Sequence, residues 1–150
     1  MQQLSGKLGA INVNNILREI LNTPKYETLI PQQIKDRLNE SGLYSTGRPI
    51  VTYFANSPNV YAHFTIMVKK VQGQPSKHVT LKDTGAFHNS FALKAGADSF
   101  VVDYDEDKPD GKVSDNVDLT NVFNLSPQEL KELRIVILPD FIKALKDAIT

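Results

Sequence analysis

A chain of 150 residues with 41% hydrophobic and 23% charged side chains has the make-up of one globular domain, spanning 1–150, and excludes disorder along its whole length. No cysteine occurs, which removes disulfides, thiolate zinc sites and thiol nucleophiles. Met1 to Ala10 carries one lysine and no apolar run, so no signal peptide is expected, and no stretch reaches the ~20 apolar residues of a membrane span.

The first helix is expected over Ile11 to Leu21, where Ile16, Leu17, Ile20 and Leu21 recur at helical spacing, ending near Thr23-Pro24. A second is expected to start at Pro31, bury Ile34 and Leu38, turn Lys35 and Arg37 to water, and stop at Ser41-Gly42. Ser45 to Pro49 reads as a turn and Ile50 to Phe54 as a brief strand. Tyr61 to Val71 fits two patterns. Phe64, Ile66 and Val68 alternate, while Phe64, Met67 and Val71 share a helical face; the β-branched content tilts the reading to a strand. Gln72 to Ser76 is a Gly/Pro loop.

The segment Leu81-Lys82-Asp83-Thr84-Gly85-Ala86-Phe87-His88-Asn89-Ser90-Phe91 packs several signals together. Asp83 or Thr84 can cap a single helical turn, and Phe87 and Phe91 then share one face with Ser90 beside them. Phe91, Leu93 and Ala95 alternate, Gly96-Ala97-Asp98 turns, and Phe100, Val102 and Tyr104 alternate again, so a β-hairpin is expected over 91–104. Asp103 to Asn116 is a polar loop. Ser126-Pro127-Gln128-Glu129 spells a capping box that opens a long C-terminal helix. Leu130, Leu133, Ile137, Phe141, Leu145 and Ala148 form its main stripe, and Ile135, Leu138 and Ile142 a second apolar edge. Pro139 is expected to kink or break that helix. The fold class is therefore α+β: N-terminal helices, a small antiparallel sheet containing the hairpin, and the long helix packed on it.

The pattern Leu81-x-x-Thr84-Gly85-x-Phe87-x-x-Ser90-Phe91 resembles the signature of tailed-bacteriophage tail-completion, minor-tail and virion-morphogenesis proteins, which join heads to tails or cap the tail tube. Ser57 to Ile66 followed by Lys69, the turn Gly73-Gln74-Pro75, Val122 to Ser126 and the helix from Leu130 to Ile149 resemble other family segments in the same order. Ala86 and His88 depart from it, standing where acidic and tyrosine residues are frequent. The resemblance implies a structural virion protein of the neck or tail, assembled as a homo-oligomeric ring in the bacterial host cytoplasm beside connector or tail proteins. It implies no catalysis and no cofactor.

Charge is unevenly spread. Ser41 to Lys82 holds Arg48, Lys69, Lys70, Lys77 and Lys82 with no acid, whereas Asp103 to Asp118 holds seven acids, Asp103, Asp105 and Asp107 among them, and only Lys108 and Lys112. Two faces of opposite sign would let subunits stack head to tail, with Phe141 and Ile142 adding apolar contact. Specific nucleic-acid binding fits less well, because the cations are scattered and no Arg/aromatic stripe accompanies them. The alternative reading is a small adaptor or regulator whose basic surface meets an acidic partner or nucleic acid.

Catalytic and metal readings find little to build on. His63, His78 and His88 include no His-x-x-x-His or His-Glu pair. Asp103, Asp105 and Asp107 have calcium-loop spacing, but Lys108 stands at the sixth position and Ser114 at the twelfth, where glycine and glutamate belong. Gly6 and Gly9 precede no lysine-serine pair, so no phosphate loop is formed.

Overall fold

A computed structural model describes residues 11–150; the expectation for Met1 to Ala10 lies outside the described residues. Helix α1, Val13–Leu21, is capped by Asn12, whose Oδ1 accepts the Asn15 N–H at 3.1 Å, and it ends just before Thr23-Pro24 as its sequence indicates. Helix α2, Pro24–Glu40, starts earlier than expected, with Pro24 rather than Pro31 in its first turn. Pro31 lies inside it. The proline deprives the Glu27 carbonyl of a donor, and Glu27 is exposed, so water can take that role. Tyr26, Ile30, Ile34 and Leu38, four apart, form a stripe that is almost wholly buried. The helix stops at Ser41-Gly42: Gly42 turns left-handed at φ +59° and its N–H donates to the Leu38 carbonyl at 3.2 Å.

The brief strand expected at Ile50 to Phe54 does not form. The Gly47 N–H donates to the Tyr44 carbonyl, turning the chain so that Ile50 N–H reaches the Gly42 carbonyl at 2.9 Å, and only a single Leu43–Pro49 bridge results. The strand reading of Tyr61 to Val71 is also corrected. His63–Val71 is helix α3, with Phe64, Met67 and Val71 on its outer face and Ile66 packed against the core. Its free N-terminal donor at His63 is accepted by Asn56 Oδ1 at 2.9 Å. At its other end Gly73 N–H donates to Lys70 C=O and Gln74 N–H to Lys69 C=O, at 3.2 and 2.8 Å, with Gly73 at φ +67°. That is the paired-bond glycine stop of a helix. Gly73-Gln74-Pro75, legible only as a loop, is the stop signal that would have decided for helix.

A one-turn helix α4, Ala86–Asn89, leads into strands β1, Ala92–Ala95, and β2, Phe100–Asp103. They pair antiparallel with Ala92 opposite Asp103 and Ala95 opposite Phe100, the hairpin expected over 91–104. The polar stretch beyond it is more ordered than a plain loop, forming a second small hairpin from β3, Asp107–Lys108, and β4, Gly111–Lys112. Helix α5, Pro127–Ile149, opens with the predicted capping box: Ser126 Oγ accepts the Glu129 N–H at 3.2 Å and Glu129 Oε2 accepts the Ser126 N–H at 2.7 Å. It runs through Pro139 without a break. The carbonyl left without its donor is that of Ile135, an exposed residue, so solvation replaces the lost bond.

Two packing layers meet around α2. The β1–β2 hairpin packs chiefly on α2, and α5 packs chiefly on α1, so the long helix does not take the sheet as its main partner. Strand geometry explains this: Phe91, Leu93 and Val102 all point to the side occupied by the Ile30–Leu38 stripe and its neighbours. Tyr26 joins the layers, its hydroxyl meeting the Asp140 carboxylate and lying 3.3 Å from the Val136 carbonyl of α5. Lys25 completes this clamp with a 2.8 Å ion pair to Asp140, which holds that carboxyl below its ordinary range.

Candidate functional site

The Thr-Gly segment folds into a tightly bonded junction. Leu81 enters it at φ +55° and Gly85 turns at φ +93°, immediately before α4. The cap is Gly85 itself; Thr84 assists, its Oγ1 accepting the Ala86 N–H at 3.3 Å, and Asp83 plays no capping part. Phe87 and Phe91 stack edge to face at 5.1 Å, and both reach Phe123, at 6.0 and 5.0 Å. Tyr104 lies flat on Phe123 at 4.1 Å. Each such aromatic pair contributes about 0.5–1.5 kcal/mol beyond area burial. Ser90 closes the unit: its hydroxyl donates to the Phe87 carbonyl at 2.6 Å and accepts the Asp105 N–H at 2.9 Å. The motif therefore ties the hairpin's two ends to Phe123, in the segment that leads to α5.

Gly85 tolerates a side chain spatially, with nothing nearer than 3.9 Å to an added Cβ, but not conformationally. Gly85→Val is expected to cost about 1–3 kcal/mol through backbone strain alone. A urea titration reads this; an unchanged midpoint would make the segment a passive surface loop.

The three histidines do not converge. His63 is exposed, the His78 ring lies 2.6 Å from the Asn39 carbonyl, and the His88 ring donates through Nε2 to the Thr80 carbonyl at 2.7 Å. Among the described residues no group of three His, Asp or Glu side chains is placed to hold a metal. Burial pushes His88 below its ordinary pKa, with Lys82 and Lys35 adding to that and the Thr80 bond opposing it. A base whose pKa falls on folding is protonated more readily in the unfolded chain. Its contribution is intact at neutral pH and is lost as pH drops below the unfolded value of about 6.5. His88→Gln keeps a donor for Thr80 and should flatten this part of the pH dependence between pH 7 and 5. Parallel melts of both proteins with equal slopes would refute the assignment.

No protein-family model, curated protein or solved structure matches the chain. The reading of its surfaces therefore rests on geometry. Arg48, Lys70 and Lys77 are exposed, but Lys69 is turned inward. Its ammonium lies 4.9 Å over the Tyr61 ring and 3.2 Å from Gln74 Oε1, and burial pulls its pKa below the ordinary lysine value while Asp83 opposes that. Asp103, Asp105 and Asp107 are exposed yet engaged. Asp103 pairs with Lys94 at 2.6 Å, Asp105 Oδ1 accepts the Asp107 N–H at 3.0 Å, and Asp107 lies 3.8 Å from Lys112. Phe141 packs into the core, whereas Ile142, with Ile135 and Leu138, lies outside it.

Arg37 corrects the expectation of a solvent-facing residue. Its side chain is only 8% exposed and pairs at 2.6 Å with Glu129, itself 10% exposed. It also donates to the Asn124 carbonyl at 3.1 Å and to that of Val122. Burial lowers its pKa and the charge of Glu129 raises it. Lys35 likewise is half-buried, its ammonium 6.0 Å over the Phe91 ring. Helical periodicity places both off the apolar stripe, but their long stems carry the charged ends across to the neighbouring layer.

Proposed function

We propose that this chain is a structural subunit of a tailed-phage particle, a ring-forming protein of the head–tail junction or tail end that acts by shape and charge complementarity without turnover. The carrying observation is the Leu81 to Phe91 unit. Its signature side chains are spent on packing, on capping and on tying Asp105 to α4, which is the work of a rigid scaffold. Exposed apolar stripes on α3 and α5 support an assembling subunit, since scattered single residues need no partner but aligned ones do. The working location is the virion, with copies of itself and adjoining neck or tail proteins as partners.

Disrupting the gene and imaging the particles tests this. Unjoined heads and tails, or tails with aberrant ends, are the expected result; normal infectious particles without the protein would overturn it. The adaptor reading draws on cations without ion pairs among the described residues, Arg48, Lys70, Lys77 and Lys82. A salt-sensitive complex of the monomer with DNA would favour that reading instead.

A further inference from the structure

The outer face of α3 is uncovered. Phe64 is 73% exposed, Met67 63% and Val71 89%, with Val68 between them, and no other described helix or strand packs broadly on this helix. Tyr53 and Phe54, both largely exposed, sit on the loop that Asn56 ties to the first turn of α3. The four α3 side chains alone offer on the order of 500 Å² of apolar surface, more than isolated exposed residues would and approaching the ~800 Å² per partner of a standard interface.

Charge identifies what this face needs. Lys70 stands on α3, and no acid occurs anywhere from Ser41 to Lys82. The 103–118 acids are poorer counterparts, because four of the seven already face a lysine of their own chain. Asp103 pairs with Lys94, Asp110 with Lys108 at 3.3 Å, and Glu106 and Asp107 with Lys112.

A better counterpart lies between α2 and the start of α5. A groove of about 670 Å³ is lined by Asp36, Glu40, Leu43, Thr46, Pro127 and Glu132 among others. Asp36, Glu40 and Glu132 make no ion pair among the described residues, and the one cation lining the groove, Arg37, is committed to Glu129. Asp36 and Glu132 accept only neutral amides, from Gln32 at 2.7 Å and Gln128 at 3.0 Å, which leaves their charge unneutralised. Gln33 Oε1 in its wall is buried with no hydrogen-bond partner among the described residues.

We infer that a second copy of this chain docks here: the α3 face of one subunit seats in the acid-rimmed α2/α5 groove of the next. The contact joins two different patches of the same chain, so it is head-to-tail and closes into a ring when its rotation permits. The apolar side chains of α3 lie against Leu43, Tyr44 and Pro127 of the groove, and Lys70 and Lys77 meet its carboxylate rim. This deepens the ring reading and rests on it only for the occupant being a second copy.

The absence of cysteine permits a clean test. Val71→Cys and Thr46→Cys proteins, purified separately and mixed under oxidising conditions, should form a mixed disulfide far in excess of Val71→Cys mixed with Ala97→Cys, on the hairpin turn. Lys70→Glu with Lys77→Glu on the Val71→Cys partner should reduce the yield on the order of tenfold, and Asp36→Lys with Glu132→Lys on the other should restore it. Equal yields with the Ala97→Cys control, a predominant Val71–Val71 disulfide, or indifference to charge reversal would each overturn the inference. Docking confirmed beside infectious particles lacking the protein would leave this contact standing and remove the virion role. A virion ring with α3 facing solvent would do the reverse.

Discussion

Gly42→Ala is expected to destabilise the protein by about 3–5 kcal/mol, several times the effect of an ordinary surface substitution. Two costs combine. Gly42 sits at φ +59°, which a Cβ disfavours by about 1–2 kcal/mol. The larger cost is steric: an added Cβ would lie 2.7 Å from both the nitrogen and the oxygen of Val79 and 2.9 Å from the His78 Cβ. Neither side can yield cheaply. Val79 is buried, and Gly42 is held by its own bond to the Leu38 carbonyl and by the Ile50 N–H on its carbonyl. Gly85→Val, where only backbone strain operates, serves as the comparison. Urea unfolding of the two variants should rank Gly42→Ala well below Gly85→Val. A Gly42→Ala protein within about 1 kcal/mol of wild type would mean that the 78–79 strand of chain is free to move aside.

Arg37→Met should cost about 3–5 kcal/mol, because it strands Glu129 in a buried site without its counter-ion. The loss is compounded at the carbonyls of Asn124 and Val122, which the guanidinium also serves. Glu129→Gln should cost less. The amide oxygen can still accept the Ser126 N–H that the carboxylate holds at 2.7 Å, so the helix cap survives. The double variant removes both charges together and should be less damaging than the sum of the two, which a double-mutant cycle on thermal or urea melts will read. Strict additivity would show that the pair contributes nothing beyond its separate bonds to backbone.

Both predictions concern contacts that join distant parts of the chain, and here sequence and structure divide. The Ser126–Glu129 capping box, the end of α1, the stop at Ser41-Gly42 and the 91–104 hairpin depend on residues within a few positions of one another. Their signals sit in adjacent letters. The same holds for Gly85, whose left-handed turn caps the helix that begins at the next residue.

Where two local patterns competed, the sequence alone was insufficient. Tyr61 to Val71 satisfied both strand and helix periodicity; the choice fell to helix through Asn56 at its start, the Gly73 stop at its end and the inward placement of Ile66. The start expected at Pro31 moves back to Pro24, and the added first turn carries Tyr26, which is buried and reaches Asp140 of α5.

The sequence by itself determined the α+β class, the main caps and turns, and the uneven spread of charge, because local hydrogen bonds and side-chain period are written in neighbouring residues. Only the tertiary structure decided which charges remain available. It paired four of the seven 103–118 acids with nearby lysines and drew Lys69 over Tyr61 and Arg37 onto Glu129. It left Asp36, Glu40 and Glu132 around a groove, with no cation paired to them among the described residues. Pairing depends on where long flexible side chains end in space, and that is fixed by the packing of layers whose residues lie as far apart in the chain as Arg37 and Glu129.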